Sequence, residues 1–121
     1  MVICPNGSVL LNPSEVSLGR AIGMLDAATL EGTADVVVVG AGPAGLATAV
    51  YSASEGMRVV VLDCRSFGGQ AGASARIENY LGFPTGISGQ ALAGRAFVQA
   101  QKFGAEIVIP AQAIALKCER T

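Results

Sequence analysis

The chain has 121 residues, a formal net charge of −1, 51% hydrophobic residues and only 14% charged residues. This length suits one modest domain. The high apolar content is typical of part of a larger protein, in which other segments cover some of its surface. The sequence contains no run of Lys or Arg, so nothing in it predicts nucleic-acid binding. With no histidine and three widely spaced cysteines, the chain offers no Ser-His-Asp triad, no Cys-His nucleophile, no zinc site and no disulfide framework.

Residues 1–26 predict a small first part. Val2-Ile3-Cys4 and Val9-Leu10-Leu11 flank Pro5-Asn6-Gly7-Ser8, which predicts a hairpin, and a helix follows with Ser14 as its N-cap. A hairpin and one helix cannot bury a core alone, so this part needs a neighbour.

Two features bear on location. The apolar run after Met1 stops at Pro5, so no signal peptide is expected. Cysteines that are odd in number and far apart favour a reducing compartment. The sequence therefore predicts a cytoplasmic protein. A linker over residues 27–34 leads into the second part, residues 35–121.

The second part opens with an uncharged stretch from Val36 to Ser54, close to the ~20 residues that cross a membrane as a helix. Glycines and a proline crowd its centre, whereas a spanning helix needs unbroken backbone hydrogen bonding. Val36–Val39 are β-branched and apolar at every position, which predicts a strand buried on both faces. The stretch predicts a strand, a turn and a helix over Pro43–Glu55, not a membrane span.

The remaining chain continues the alternation of strands and helices. Val59–Leu62 predicts a second strand, residues 64–86 an irregular glycine-rich segment, Ser88 the cap of a second helix, and Ile107–Ile109 a third strand. This order predicts a parallel sheet with right-handed crossovers, the first strand inside and the third outward. The expected fold class is α/β: an incomplete three-layer Rossmann-like domain, preceded by a β-hairpin and a helix.

The hexapeptide from Gly40 to Gly45, GAGPAG, fits the dinucleotide fingerprint G-x-G-x-x-G. Gly40 permits the tight turn, Gly42 lets a pyrophosphate approach the helix N-terminus, and Gly45 lets the helix pack closely on the sheet. Asp63 ends the second strand at about the expected spacing, where its carboxylate can accept hydrogen bonds from both ribose hydroxyls. A 2′-phosphate is disfavoured beside Asp63, so FAD and NAD remain open.

The segment after the second strand resembles the FAD domain of thioredoxin reductases and related bacterial FAD-dependent pyridine-nucleotide oxidoreductases. The resemblance rests on Gly68-Gly69-Gln70, on the block from Arg76 to Pro84 (RIENYLGFP) and on Gly86-Ile87-Ser88-Gly89, and covers about Asp35 to Leu116. It implies that the dinucleotide is FAD. More faintly, residues 1–26 resemble the last hairpin and helix of a thioredoxin-like domain.

By this resemblance, Gly69 and Gln70 line the flavin, Asn79 hydrogen-bonds near the isoalloxazine ring, and a strand around Ala111 to Ala113 meets the adenine. Gln70 and Asn79 offer donors and acceptors that suit the flavin edge. Spacing alone favours a loop with an incidental Gln and Asn. The predicted cofactor-binding residues are Gly40, Ala41, Gly42, Pro43, Ala44, Gly45, Asp63, Cys64, Gly69, Gln70, Asn79 and Ala113. No catalytic residue and no metal ligand is predicted.

The resemblance implies a thioredoxin-disulfide-reductase-like enzyme that passes electrons from NADPH through flavin to thioredoxin or another redox acceptor, with a homodimer left open. The chain contains neither a Cys-x-x-Cys pair nor the NADPH module, so it is expected to be the N-terminal part of the FAD domain. Two alternatives stay open: an NAD-dependent dehydrogenase domain, against which the GGQ and ENYLGFP blocks argue, and a truncated flavin-binding module without turnover.

Overall fold

The computed structural model describes residues 1–23 and 32–119. The predicted boundary at residue 26 and most of the predicted linker lie outside the described residues. The elements, in chain order, are β1 (Val2–Ile3), β2 (Val9–Leu10), α1 (Glu15–Ala21), β3 (Val36–Val39), α2 (Pro43–Ser54), β4 (Val59–Leu62), α3 (Gly69–Gly72), α4 (Gly89–Lys102) and β5 (Glu106–Val108).

The first unit is the expected hairpin and helix. β1 pairs antiparallel with β2, and the turn between them is closed by the Cys4 N–H, which donates to the Ser8 carbonyl at 2.8 Å. Gly7 takes a φ of 81° there, a backbone conformation that glycine adopts at little cost. The Ser14 hydroxyl caps α1 by accepting the Ser17 N–H at 3.2 Å. The predicted hairpin and N-cap are confirmed.

The second unit is a three-stranded parallel sheet in the order β3-β4-β5. Helices α2 and α4 cover one face of this sheet. Val59 and Val61 of β4 are completely buried on that face, in register with Val36 and Val38 of β3. Full burial of one such valine contributes roughly 1.5–3 kcal/mol. The core also contains small residues, which let the helices lie close to the sheet: Ala41, Ala49, Ala53, Ala100 and Ala105.

The opposite face of β3 is exposed, and here the prediction of a strand buried on both faces is wrong. Val37 and Val39 are 57% and 68% exposed. Among the described residues, β4 is the central strand and β3 forms one edge, so the first strand is not inside as predicted. The predicted fold class is confirmed: the described residues form an incomplete α/β domain with a parallel sheet, preceded by a β-hairpin and a helix.

No helix within the described ranges is long and apolar enough to cross a membrane. The bounds of two elements differ slightly from the prediction: α2 ends at Ser54 and not at Glu55, and β5 spans Glu106–Val108 and not Ile107–Ile109. The segment predicted as irregular contains the short helix α3, which begins after Gly68.

Candidate functional site

The glycine-rich turn connects the carboxyl end of β3 to α2. Gly40 takes a φ of 104°, and its N–H donates to the Leu62 carbonyl at 2.7 Å. Gly42 precedes α2 as its N-cap, and Pro43 is the first helical residue. Apart from its chain neighbours, none of the described residues has a heavy atom within 4 Å of a Cβ placed on Gly42, so this side of the turn is open. A diphosphate fits here, because unpaired N–H groups and the helix dipole favour an anion at a helix N-terminus.

Gly45 has the opposite environment. A Cβ placed on it would collide with the carbonyl oxygen of Gly40 and would lie 3.1 Å from Cγ1 of Val38. The first turn of α2 therefore lies directly against the strand and the turn, and no side chain fits between them. The two glycines face different neighbours: Gly42 faces open space, and Gly45 faces the protein.

Asp63 follows β4 and bonds to two backbone groups. Its Oδ2 accepts the Ala41 N–H at 2.8 Å, and its Oδ1 accepts the Arg65 N–H at 2.9 Å. The backbone N–H of Asp63 donates to the Val108 carbonyl at 3.2 Å, and its carbonyl accepts the Ala111 N–H at 2.7 Å. Each carboxylate oxygen keeps a second lone pair, so the group can hold the turn and still accept from a ligand hydroxyl.

A cavity of about 230 Å³ lies at the carboxyl ends of the strands, where α/β sheets bind their ligands. Its lining residues are Val39, Gly40, Leu62, Asp63, Cys64, Ala111, Gln112 and Ala113. Four of the predicted cofactor-binding residues thus share one cavity: Gly40, Asp63, Cys64 and Ala113. Mostly apolar walls with one carboxylate suit an adenosine. The strand expected around Ala111 to Ala113 is absent, since the described residues after β5 contain no regular element.

The GGQ segment lies against the glycine-rich turn. The Gly68 N–H donates to the Ala41 carbonyl at 2.7 Å. A Cβ on Gly69 would lie 3.3 Å from Cα of Gly42, so these two backbones are in contact. Gln70 lies in α3 with its side chain exposed. The fold therefore brings the fingerprint, the acidic residue and the GGQ segment together.

Asn79 is set apart from this group. It lies exposed in a loop that is closed by reciprocal backbone hydrogen bonds between Ile77 and Ile87, at 2.7 and 2.9 Å. Arg76 supports the same loop through an ion pair of 3.1 Å with Glu78. Among the residues that the structure describes, Asn79 does not line the 230 Å³ cavity. Its expected contact with the flavin ring stays a prediction.

Two cavity residues were not predicted from the sequence: Val39 and Leu62. Val39 and Leu62 are the last residues of adjacent parallel strands, paired in register. Each directly precedes a predicted site residue, so both could have been predicted from their positions at the ends of the strands. Gln112 lies within the segment from Ala111 to Ala113 that the resemblance assigned to the adenine, although this segment contains no regular structure.

A family model described as FAD dependent oxidoreductase matches residues 35–112. The chain belongs to this family. The match spans the fingerprint, Asp63, the GGQ segment and the loop containing Asn79. FAD is therefore the cofactor of this chain, as the resemblance implied, and the NAD-dependent dehydrogenase alternative is set aside.

Individual proteins are similar to a little over half of the chain. Thioredoxin reductase from Aquifex aeolicus (strain VF5) is 43% identical over 74 residues, covering 61% of this chain and 23% of the relative. The bifunctional thioredoxin reductase/thioredoxin of Mycobacterium leprae (strain TN) is 41% identical over 73 residues, covering 60% of this chain and 16% of the relative. The crystal structure of thioredoxin reductase from T. acidophilum aligns with a TM-score of 0.58 at 42% identity, covering 64% of this chain and 25% of that one. The chain thus spans about a quarter or less of these family members.

Proposed function

We propose that this chain is the FAD-binding part of a thioredoxin-reductase-like enzyme. It holds the adenosine diphosphate half of FAD and contributes some of the residues that contact the flavin ring. The observation that carries the proposal is the Ala41 backbone, whose N–H donates to Asp63 and whose carbonyl accepts from Gly68. Three motifs that are separate in the sequence meet at this one residue. A flexible loop with incidental polar residues would not require such a junction.

Each part of the site has a distinct proposed task. The open N–H groups around Gly42 and Ala44 hold the diphosphate, assisted by the dipole of α2. The free lone pairs of Asp63 accept from the ribose hydroxyls, and the 230 Å³ cavity takes the adenine. Gly69 and Gln70 approach the flavin ring, Gln70 with amide donors and acceptors. When bound, FAD supplies the hydride and electron chemistry, and no residue of this chain is assigned a proton or a hydride.

The proposed reaction of the whole enzyme oxidises NADPH to NADP⁺ and reduces a disulfide to two thiols. The relatives named above support it, and thioredoxin is the acceptor that we propose first, with another redox acceptor second. Cys4, Cys64 and Cys118 are unpaired thiols, which supports a reducing compartment such as the cytoplasm. The disulfide-reducing pair and the NADPH-binding module are proposed to belong to the rest of the enzyme.

The test is a visible absorption spectrum of the purified chain, with the released cofactor identified, followed by titrations with FAD, ADP, FMN and NAD⁺. We expect FAD and ADP to bind, FMN to bind far more weakly because it lacks the ADP half, and NADPH oxidation to be undetectable with this chain alone. A chain that binds FMN as tightly as FAD, or NAD⁺ more tightly than FAD, would contradict the proposal. NADPH turnover by the chain itself would show that it is more than a binding segment.

A further inference from the structure

Gly68 differs from the other two residues of the GGQ segment, because it packs against the rest of the protein and not against open space. It is buried, and it takes a φ of 101°. A Cβ placed on it would lie 2.9 Å from Cβ of Ala93 in α4 and 3.3 Å from Cα of Gly72. Gly68 therefore has no open face toward a ligand, whereas Gly69 and Gln70 are exposed.

The one polar group that Gly68 directs at the fingerprint is its N–H, which donates to the Ala41 carbonyl at 2.7 Å. That carbonyl belongs to the same peptide unit as the Gly42 N–H, and this peptide is trans. In a planar trans peptide the C=O and N–H bonds point in opposite directions. Fixing the direction of the Ala41 carbonyl therefore fixes the direction of the Gly42 N–H.

The preceding peptide unit is held as well. Its N–H, on Ala41, donates to Asp63, and its carbonyl oxygen, on Gly40, lies directly against Gly45. By contrast, within the described part of the chain no backbone or side-chain acceptor takes the Gly42 N–H. Among the described residues, the N–H and the carbonyl of Ala41 are therefore both hydrogen-bonded, whereas the Gly42 N–H keeps its donor capacity for a ligand.

We propose that Gly68 is a positioning residue for the diphosphate of the cofactor, acting through Ala41 to aim the Gly42 N–H. This rests on the proposed FAD site and deepens it, because the first glycine of the GGQ segment then serves the diphosphate end of the cofactor while Gly69 and Gln70 serve the ring end. Without the Gly68 contact the Gly42 N–H is free to rotate. The affinity for the diphosphate should therefore fall even for a ligand without a flavin, such as ADP.

The experiment compares ADP and FAD binding by calorimetry in the full chain and in three variants. Gly68→Ala strains the positive φ and pushes the backbone from Ala93, and we expect its affinity for ADP to fall by about tenfold or more. Gly72→Ala is the matched control, since its φ is ordinary and its Cβ would come no closer than 3.9 Å, to the Phe67 carbonyl. It should leave both affinities unchanged. Gln70→Ala should lower FAD affinity and leave ADP affinity within about twofold.

A spectroscopic measurement separates positioning from a general loss of structure. With ¹⁵N-glycine labelling, the Gly42 amide of the wild-type chain should shift strongly and exchange slowly with solvent when ADP is bound. In Gly68→Ala at saturating ADP, we expect that signature to disappear while the melting curve stays cooperative. If Gly68→Ala does not fold, the double variant Gly68→Ala/Ala93→Gly removes the nearest collision and is measured instead.

The outcomes are distinct. A folded Gly68→Ala variant, or folded double variant, that binds ADP within twofold of wild type would overturn the positioning role while leaving the FAD site intact. A wild-type chain that binds neither ADP nor FAD would overturn the proposed function itself. Loss of FAD affinity with ADP affinity retained would assign Gly68 to the ring end and would equally refute the proposal.

Discussion

The Oδ2 atom of Asp63 accepts the backbone N–H of Ala41 at 2.8 Å, and this bond joins the end of β4 to the centre of the glycine-rich turn. Ala41 is completely buried, so solvent cannot replace the carboxylate. A buried donor left without a partner costs roughly 1–3 kcal/mol. Asp63 therefore shapes the turn in the absence of any ligand, in addition to the ribose contact that we propose for it.

We predict that Asp63→Ala weakens FAD binding by about 1–3 kcal/mol, or roughly 5–150-fold, and also lowers the unfolding free energy. Asp63→Asn should rescue only part of the loss, because an amide offers one acceptor oxygen where two N–H groups need partners. Flavin fluorescence titration and urea unfolding measure the two effects. Glu119→Gln is the control, since that carboxylate is exposed and pairs with Lys117 at the surface. FAD affinity that is unchanged in Asp63→Ala would disprove the assignment.

Gly42→Val should separate binding from folding. A Cβ at this position meets no heavy atom of the described residues within 4 Å apart from those of its chain neighbours, and the φ of −77° is accessible to valine. We expect a folded chain whose unfolding free energy changes by about 1 kcal/mol or less, from the loss of a favourable N-cap residue. FAD binding should be abolished, because the added side chain occupies the space of the diphosphate. Calorimetry with ADP and thermal unfolding measure both, and a variant that retains FAD would refute the proposed position of the diphosphate.

The sequence predicted the local elements well, because the signals for them are local. The β-branched run Val36–Val39, the proline at the start of α2 and the hydroxyl of Ser14 act through their own backbone or the next turn. The burial of β3 could not be predicted in this way. Four consecutive valines are compatible with two covered faces, but Val37 and Val39 are largely exposed, because the covering of a face depends on long-range packing that a local pattern does not encode.

The positions of site residues could be predicted where these residues directly follow strands, and less well where they lie in loops that pack against other parts of the chain. Gly40 and Asp63 adjoin paired strands, so register alone places them together. The sequence resemblance assigned the GGQ segment to the flavin, yet the bond from Gly68 to Ala41 depends on how a loop and α4 pack. The position of Asn79 could not be predicted either. It lies in a loop closed by hydrogen bonds between Ile77 and Ile87, and the packing of that loop determines where the side chain points.

Gly45→Ala and Gly94→Ala form a matched pair, since both add one methyl group to the interior of a helix. The methyl group at position 45 would collide with the Gly40 carbonyl, whereas the one at position 94 has no atom within 4 Å. We expect Gly45→Ala to lower the unfolding free energy by about 1–3 kcal/mol through overpacking. Gly94→Ala should raise it by about 0.5–1 kcal/mol, because alanine favours helix. Urea unfolding measures both, and equal effects would contradict the close packing of α2 on the sheet.

Arg58→Ala should affect stability and leave binding unchanged. The Arg58 side chain donates to the Thr33 carbonyl at 2.9 Å and pairs with Glu106 at 3.3 Å, which fastens the amino ends of the strands. Partial exposure of the pair, 38% and 34%, limits the expected loss to about 1 kcal/mol. Because Arg58 and Asp63 lie at opposite ends of β4, about 16 Å apart along the strand, FAD affinity should not change. Lys117→Ala, which removes a far more exposed ion pair, should change neither quantity, and a tenfold loss of FAD affinity in Arg58→Ala at unchanged stability would show that the two ends of the sheet are coupled.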